Sequence, residues 1–320
     1  MRAWTKATLG LGLAAGTTLA WANLETHLFR VRTHEVPVLP HGVSPKRILH
    51  ISDLHLVPNQ HDKISWLRDL VEETKPDLVI NTGDNLAHLQ ALPAVLHALE
   101  HLLEVPGVFV FGSNDYFAPV WKNPVHYLAP ELFSAGEKQE MSLPAKDLAN
   151  AFASHGWLNL NNATGSIDFA DLALDFVGTD DAHIGLDKLP ELKFDERGAG
   201  FADELPRLRV GVTHSPYLKV LDDFVASDCD LIFAGHTHGG QLQVPFFGAI
   251  ITNCDLDRGR VSGLHGYPGP RPDSFGGQNS KWLHVCQGLG TSPYFPFRFC
   301  CRPEANLIVL TELENSATQE

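Results

Sequence analysis

Three times between Arg47 and Asp115 an apolar run of strand length breaks off into a short polar cluster. Arg47-Ile-Leu-His-Ile-Ser52 ends in Asp53-Leu54-His55, Leu78-Val-Ile80 runs into Thr82-Gly83-Asp84-Asn85, and Val108-Phe-Val-Phe111 ends in Gly112-Ser113-Asn114-Asp115. Helically spaced segments separate them. Ile64, Leu67, Leu70 and Val71 share one face over residues 61–73, and Leu92, Leu96, Leu99 and Leu103 share one over 92–103. Pro76 and Pro106-Gly107 close these helices. Such alternation predicts an α/β fold, and open α/β sheets gather ligands at the carboxyl ends of their strands. The polar clusters are therefore the candidate site.

Further along, residues 147–154 have helical spacing, and strands are expected near Leu158-Asn-Leu160, Ser166-Ile-Asp-Phe169 and Leu174-Asp-Phe-Val177. Their hairpin-like spacing predicts a mixed sheet. Leu208-Arg-Val-Gly-Val212 ends in Thr213-His214-Ser215-Pro216, residues 217–226 read as a helix, and Leu231-Ile-Phe-Ala234 runs into Gly235-His-Thr-His-Gly-Gly-Gln241. Trp282-Leu-His-Val285 and Asn306-Leu-Ile-Val-Leu310 are the last β-prone runs. Two stretches lack periodicity. Residues 116–145, with Pro119, Pro124, Pro130 and Pro144, follow Asn114-Asp115 directly and are placed to cover a site, and Gly263 to Gly277 reads as a second rim segment. Asp180-Asp181-Ala182-His183 offers further donors, although a polar loop with solvated acids is the commoner outcome.

Composition narrows the chemistry. With 44% hydrophobic and 19% charged residues the chain is globular, and 320 residues are read as one catalytic domain over 45–312 after an N-terminal hydrophobic segment, 1–24. The formal charge of −14, with no Lys/Arg cluster, argues against nucleic acid as a partner. Any phosphate chemistry then needs a local positive centre such as a metal. The five cysteines have no C-x-x-C spacing and read as mostly buried thiols. Arg2 and Lys6 precede an uncharged stretch from Ala7 to Leu24, and Ala20-Trp21-Ala22 resembles a cleavage site. Signal peptide, short membrane anchor and packed helix all fit it, so the chain is expected to be membrane-associated or exported, with the cytoplasmic face still open.

His236 and His238 stand two apart, so an extended chain would turn both imidazoles to one side. Alone, such a pair reads equally well as solvated histidines in a Gly-rich turn. Collected with Asp53, His55, Asp84, Asn114 and His214, it becomes an oxygen and nitrogen donor set without cysteine, which suits Mn, Fe or Zn. Seven ligands are too many for one tetrahedral ion. They fit two divalent metal ions sharing a bridging carboxylate.

The order D-x-H, G-D, G-N-(H/D/E), H, G-H-x-H from Asp53 to His238 resembles the calcineurin-like metallophosphoesterases. Thr213-His214-Ser215-Pro216, Gly288-Leu-Gly-Thr-Ser292 and Arg302-Pro303-Glu304 are most similar to the subgroup with an N-terminal membrane or export segment. The resemblance implies a four-layer sandwich, two mixed β-sheets flanked by helices. It also implies that Asp53, His55 and His238 hold one metal, that Asn114, His214 and His236 hold the other, and that Asp84 bridges them. Two cations about 4 Å apart would clamp a phosphoryl group and generate a bridging hydroxide for in-line attack.

One departure from the family pattern is visible. Many members carry a histidine after the ligand asparagine to protonate the leaving oxygen, and this chain has Asp115 there, with Ser113 before Asn114. An aspartate needs a raised pKa to donate a proton, and close cations push the other way. Asp115 is thus the candidate catalytic residue, and the expectation is either a preference for leaving groups needing little protonation or an Asp115 that only orients Asn114. The expected function is hydrolysis of a phosphodiester, pyrophosphate or phosphomonoester, small or lipid-linked. No protein partner is implied, and a catalytically silent metal-binding protein of the same fold is the alternative.

Overall fold

Period-two alternation within short buried strands sorts the apolar side chains to two faces, so each sheet needs cover on both. The computed structural model, which describes residues 2–120, 140–192 and 205–313, meets that need with two six-stranded sheets packed face to face. The first runs β1 (Arg30–Leu39), β14 (Glu304–Glu312), β2 (Lys46–Ile51), β3 (Leu78–Asn81), β4 (Gly107–Phe109), β5 (Leu158–Asn159). The second runs β12 (Gly263–Tyr267), β13 (Lys281–Val285), β9 (Leu231–Ala234), β8 (Arg207–Val212), β7 (Ala173–Gly178), β6 (Thr164–Asp168). Both are mixed: β2–β3–β4–β5 and β7–β8–β9–β13 are parallel, whereas β14 pairs antiparallel with β2, β12 with β13, and β6 with β7.

Alternate residues serve different layers. Ile48, Ile80, Val108, Phe176, Val210, Leu231 and Phe233 meet between the sheets. Leu49, Ile51, Val79 and Phe109 point outward onto α2 (His61–Thr74), α3 (Leu92–Leu99) and α5 (Ala145–Ser154), whose Leu67, Leu70, Val95, Leu99, Leu148 and Phe152 cover them. Val177, Ile232, Leu283 and Val285 point outward from the second sheet onto Val220, Leu221 and Phe224 of α6 (Leu218–Ala226). The result is the expected four layers, helices, sheet, sheet, helix.

Several elements differ from the sequence reading. β1, upstream of the expected boundary at residue 45, completes the first sheet by pairing in parallel with β14, and Glu304 joins them through Arg30 and Arg32. Residues 263–267 form β12 instead of a rim loop, because β13 offers them a full antiparallel ladder. Of the expected covering loop over 116–145, residues 121–139 lie outside the described residues; its two ends are tied by Ser142 and Leu143, whose N–H groups donate to the Tyr116 carbonyl.

The N-terminal segment is a helix, α1 (Arg2–Glu25). Its last turn packs on the body. Ala22 and Glu25 are buried, the Ala22 carbonyl accepts Arg298 N–H, and the Glu25 carboxylate accepts the N–H groups of Cys300 and Cys301. Residues 12–21 are exposed along their whole length. No helix among the described residues is long and apolar enough to cross a membrane.

Candidate metal centre

All seven expected ligands lie just past the carboxyl ends of β2, β3, β4, β8 and β9. The chain does not leave those strands extended. Asp53, His55, Asp84, His236 and His238 have φ of 50°, 41°, 56°, 68° and 50°, a left-handed region that non-glycine residues occupy rarely and at a cost. The sequence expectation that His236 and His238 face one way from an extended chain is thereby corrected. The backbone coils into a 3₁₀ turn, His238–Gly240, capped by the Thr237 hydroxyl, and sends the two rings to different neighbours. Gly235 is required by crowding: a Cβ there would lie 2.0 Å from Ser52 Oγ.

His238 goes to Asp53 and His55. Its Nε2 is 3.5 Å from Asp53 Oδ1, and its ring centroid is 5.0 Å from that of His55. His55 Nε2 lies 3.9 Å from Asp53 Oδ1 and 3.4 Å from Asp84 Oδ2. Asp53 is held by its other oxygen, which accepts from Ser52 Oγ at 2.6 Å and His236 N–H at 3.0 Å, and this leaves Oδ1 aimed at the imidazoles.

His236 goes to His214, with ring centroids 5.1 Å apart. His214 donates through Nδ1 to the Thr82 carbonyl at 2.6 Å, which fixes its tautomer and points Nε2 at Asp84 Oδ2, 3.6 Å away. His236 Nε2 lies 3.1 Å from the Asn253 carbonyl. Asn114 lies on the Asp84 carboxylate, donating through its backbone N–H to Oδ1 and through Nδ2 to Oδ2, both at 2.7 Å. For Asn114 to offer its amide oxygen to a cation, that amide has to turn over.

Four buried atoms here, Asp53 Oδ1, His55 Nδ1, His55 Nε2 and His214 Nε2, have no hydrogen-bond partner. Buried polar atoms are costly unless satisfied. Their ligand atoms converge as Asp53, His55 and His238, and as Asp53, Asp84 and His214, two groups of a kind that can hold a metal ion. A pair of divalent cations fits this donor set.

At every shifted group but His214 the electrostatics point the same way. Burial works against ionised Asp53, but His238, His55 and His214 outweigh it and hold the carboxyl well below the usual carboxylate range. Burial also works against a charged His214, yet Asp84, Asp181 and Asp53 push it up to about 9. His236 is lowered to about 4 by burial and by His214 and His183. Burial holds His238 well below its ordinary value, helped by His55 and Arg298. Ionised Asp53 and neutral His236 and His238 are the forms that bind metal, whereas His214, held charged by these carboxylates, has to give up its proton to act as a ligand.

Asp115 is turned away from this centre. Its carboxylate, fully buried, accepts the N–H groups of Gly112, Asp84 and Asn85 at 3.0, 2.8 and 2.9 Å. Burial and the Asp84 charge push it up to about 7, against the N–H groups of Gly112 and Asn85. It ties the Gly83–Asn85 turn to the start of α4 (Ser113–Tyr116). Asp181 is buried beside the centre, taking Ser215 Oγ at 2.5 Å and His183 N–H at 2.9 Å, and the His183 ring lies 4.6 Å from that of His236.

Sequence reasoning missed three contributors. Gly288 and Gly290 let the chain lie on Asp53 and His55, since a Cβ on either would come within 2.6 Å of them. Arg298, fully buried, donates to the carbonyls of Gln287, Gly288, Gly290 and Cys301 and rests 3.4 Å from His238 Nδ1. Gly288 and Gly290 belong to a motif visible in the sequence, whereas a single arginine in a Phe- and Pro-rich stretch gives no signal. Asn253 is likewise an isolated loop residue.

A family model described as Calcineurin-like phosphoesterase matches residues 46–240. The chain is 28% identical over 314 residues to the uncharacterized metallophosphoesterase YkuE of Bacillus subtilis, covering 93% of this chain and 91% of that protein. It is 27% identical over 289 residues to the phosphodiesterase YaeI of Escherichia coli, covering 88% of each. It is 25% identical over 330 residues to the UDP-2,3-diacylglucosamine pyrophosphatase LpxG of Chlamydia trachomatis, covering 91% of this chain and 92% of that protein.

Proposed function

The chain belongs to the calcineurin-like phosphoesterase family, is a metal-dependent phosphoester hydrolase, and on that premise we propose that it cleaves a phosphodiester or pyrophosphate at two divalent cations held by its strand-end residues. The single observation that carries this reading is the set of partnerless buried donor atoms on Asp53, His55 and His214 converging on Asp84. Asp53, His55 and His238 hold one cation, Asn114, His214 and His236 the other, and Asp84 lies between. When bound, the cations supply Lewis-acid charge for the phosphoryl oxygens and acidify a water.

The protein's own part is positioning. Ser52 and the His236 N–H keep one Asp53 oxygen occupied so that the other faces the centre. Thr82 fixes the His214 tautomer. Asp115 holds the Asp84 turn in place and is unavailable to the leaving group, so substrates whose leaving oxygen needs little protonation react best. The phosphodiesterase and pyrophosphatase relatives favour the diester and pyrophosphate reading over a monoester. The N-terminal helix, uncharged from Ala7 to Leu24, favours a membrane-associated or exported enzyme acting on a small or lipid-linked phosphoester.

Turnover of bis-(p-nitrophenyl) phosphate with added Mn²⁺, Fe²⁺ or Zn²⁺, compared with His236→Ala, tests this. Metal-dependent turnover lost in His236→Ala is expected. A folded, metal-loaded protein with no turnover of diesters, pyrophosphates or monoesters would return the chain to the silent metal-binding alternative.

A further inference from the structure

Immediately beyond the metal centre, the chain turns from Gln241 into a two-stranded hairpin, β10 (Gln243–Val244) and β11 (Gly248–Ala249). Its tip presents Phe246 completely exposed (111%) and Phe247 largely exposed (60%), with Val244 and Ile250 exposed at its base. Phe246 has φ 67°, a conformation in which glycine or asparagine would be the ordinary choice. A bulky apolar ring thus occupies a strained position where it touches none of the core.

Hydrogen bonds tie the base of this hairpin to a second apolar segment, and that segment to α1. Gln241 Nε2 donates to the carbonyls of Phe295 and Phe297, and Gln243 N–H to that of Phe299. The same loop exposes Tyr294 and receives Asn23 Nδ2 of α1 on the Pro296 carbonyl. Past that junction α1 exposes Leu24, Trp21, Leu19 and Leu13. Hydrogen bonds thus join hairpin, loop and helix, each carrying exposed apolar side chains, with the hairpin starting five residues past His238.

The chemistry of the edge selects its occupant. No charged residue lies between Ala7 and Leu24, and the hydroxyls of Thr17 and Thr18 donate back to the carbonyls of Leu13 and Ala14, so the exposed helix keeps its side-chain polarity satisfied internally. A protein partner would find few polar groups to pair with. The Arg258 guanidinium lies 4.9 Å from the Phe247 ring, which sets one cation at the root of an aromatic tip in a chain whose net charge is −14. An aromatic tip with a cation behind it matches the boundary between acyl chains and phosphate headgroups.

We propose that this edge docks the protein on a lipid surface, with Phe246 and Phe247 entering the acyl boundary and Arg258 at headgroup level. The docking stands independently of the phosphoesterase reading; its use, bringing lipid-borne phosphoesters to the site, rests on that reading.

Cosedimentation of the full chain with phosphatidylcholine vesicles, alongside Phe246→Ser/Phe247→Ser, tests it. Wild type is expected to bind with little dependence on salt, and the double variant to lose at least about tenfold in partitioning. Its turnover of soluble bis-(p-nitrophenyl) phosphate should stay unchanged, which also shows that it is folded. Failure of the phosphoesterase reading would appear as absent turnover with vesicle binding intact. No vesicle binding by wild type, or equal binding by the double variant, overturns the docking. Light scattering that shows a wild-type dimer and a monomeric double variant overturns it too, in favour of a second copy as the occupant.

Discussion

Two clusters of histidines share this sandwich and do opposite work. At the strand ends, His55, His214, His236 and His238 surround Asp53 and Asp84, and three of the four have left-handed backbone. In the middle of the sandwich, His34 on β1, His50 on β2 and His284 on β13 sit in regular strand. There His50 Nδ1 lies 2.8 Å from His284 Nδ1, His50 Nε2 lies 3.0 Å from Thr82 Oγ1, and the rings of His34 and His284 are 5.3 Å apart. Among the described residues only the strand-end cluster brings three metal donors together. Imidazoles alone do not make a metal site. Carboxylates close enough to compensate a cation, and a backbone bent to aim every donor at one place, make the difference.

The largest effect that can break this contrast is at Asp84, which stands in both halves of the proposed centre. Asp84→Ala should lower metal-dependent turnover by about 10³-fold or more, with the fold retained by circular dichroism. Residual activity within tenfold of wild type would mean that the carboxylate is not what separates the clusters.

The central cluster should instead announce itself in acid. Burial lowers His50 to about 3 and His34 to about 4, and takes His284 well below its ordinary value. An unfolded histidine titrates near 6.5. Because the folded values are depressed, the unfolded state binds more protons below that pH. Stability is therefore intact above about pH 6.5, falls as pH drops, and levels off only below the folded values near 3 to 4, a loss on the order of 3 kcal/mol or more. Denaturant midpoints at pH 7.5 and 5 measure it, and His50→Gln should flatten the slope. Equal midpoints would show that the cluster is hydrated or paired with charge.

A smaller effect sharpens the role of Asp115, which braces the turn carrying Asp84 through three main-chain donors. Asp115→Asn keeps the shape but loses one acceptor, and should cost about tenfold in turnover. Positioning predicts the same loss for nitrophenyl and alkyl esters. A loss confined to alkyl leaving groups would make Asp115 a proton donor.

Legibility followed the same physics. β2, β3, β4, β8 and β9 were readable because each is a buried apolar run, and their polar ends were readable because few folds place D-x-H, G-D and G-H-x-H in that order. β1 was not, since Arg30–Leu39 mixes charged and apolar residues, contains Pro37 as an edge strand can, and gains its partner from residues some 270 positions away. β12 looked like a Gly-rich loop because its strand character comes from pairing with β13. The left-handed turns at Asp53, His55 and His238 depend on tertiary packing, which no local pattern reveals. His50 and His284 read as ordinary strand residues, and Arg298 gives no signal, because only the assembled fold buries them.

Metal content measured on wild type, His238→Ala and His50→Ala after equilibration with Mn²⁺ and dialysis tests the central claim most directly. About two ions per chain are expected in wild type and in His50→Ala, and about one in His238→Ala. Two ions retained by His238→Ala, or ions lost from His50→Ala, would contradict it.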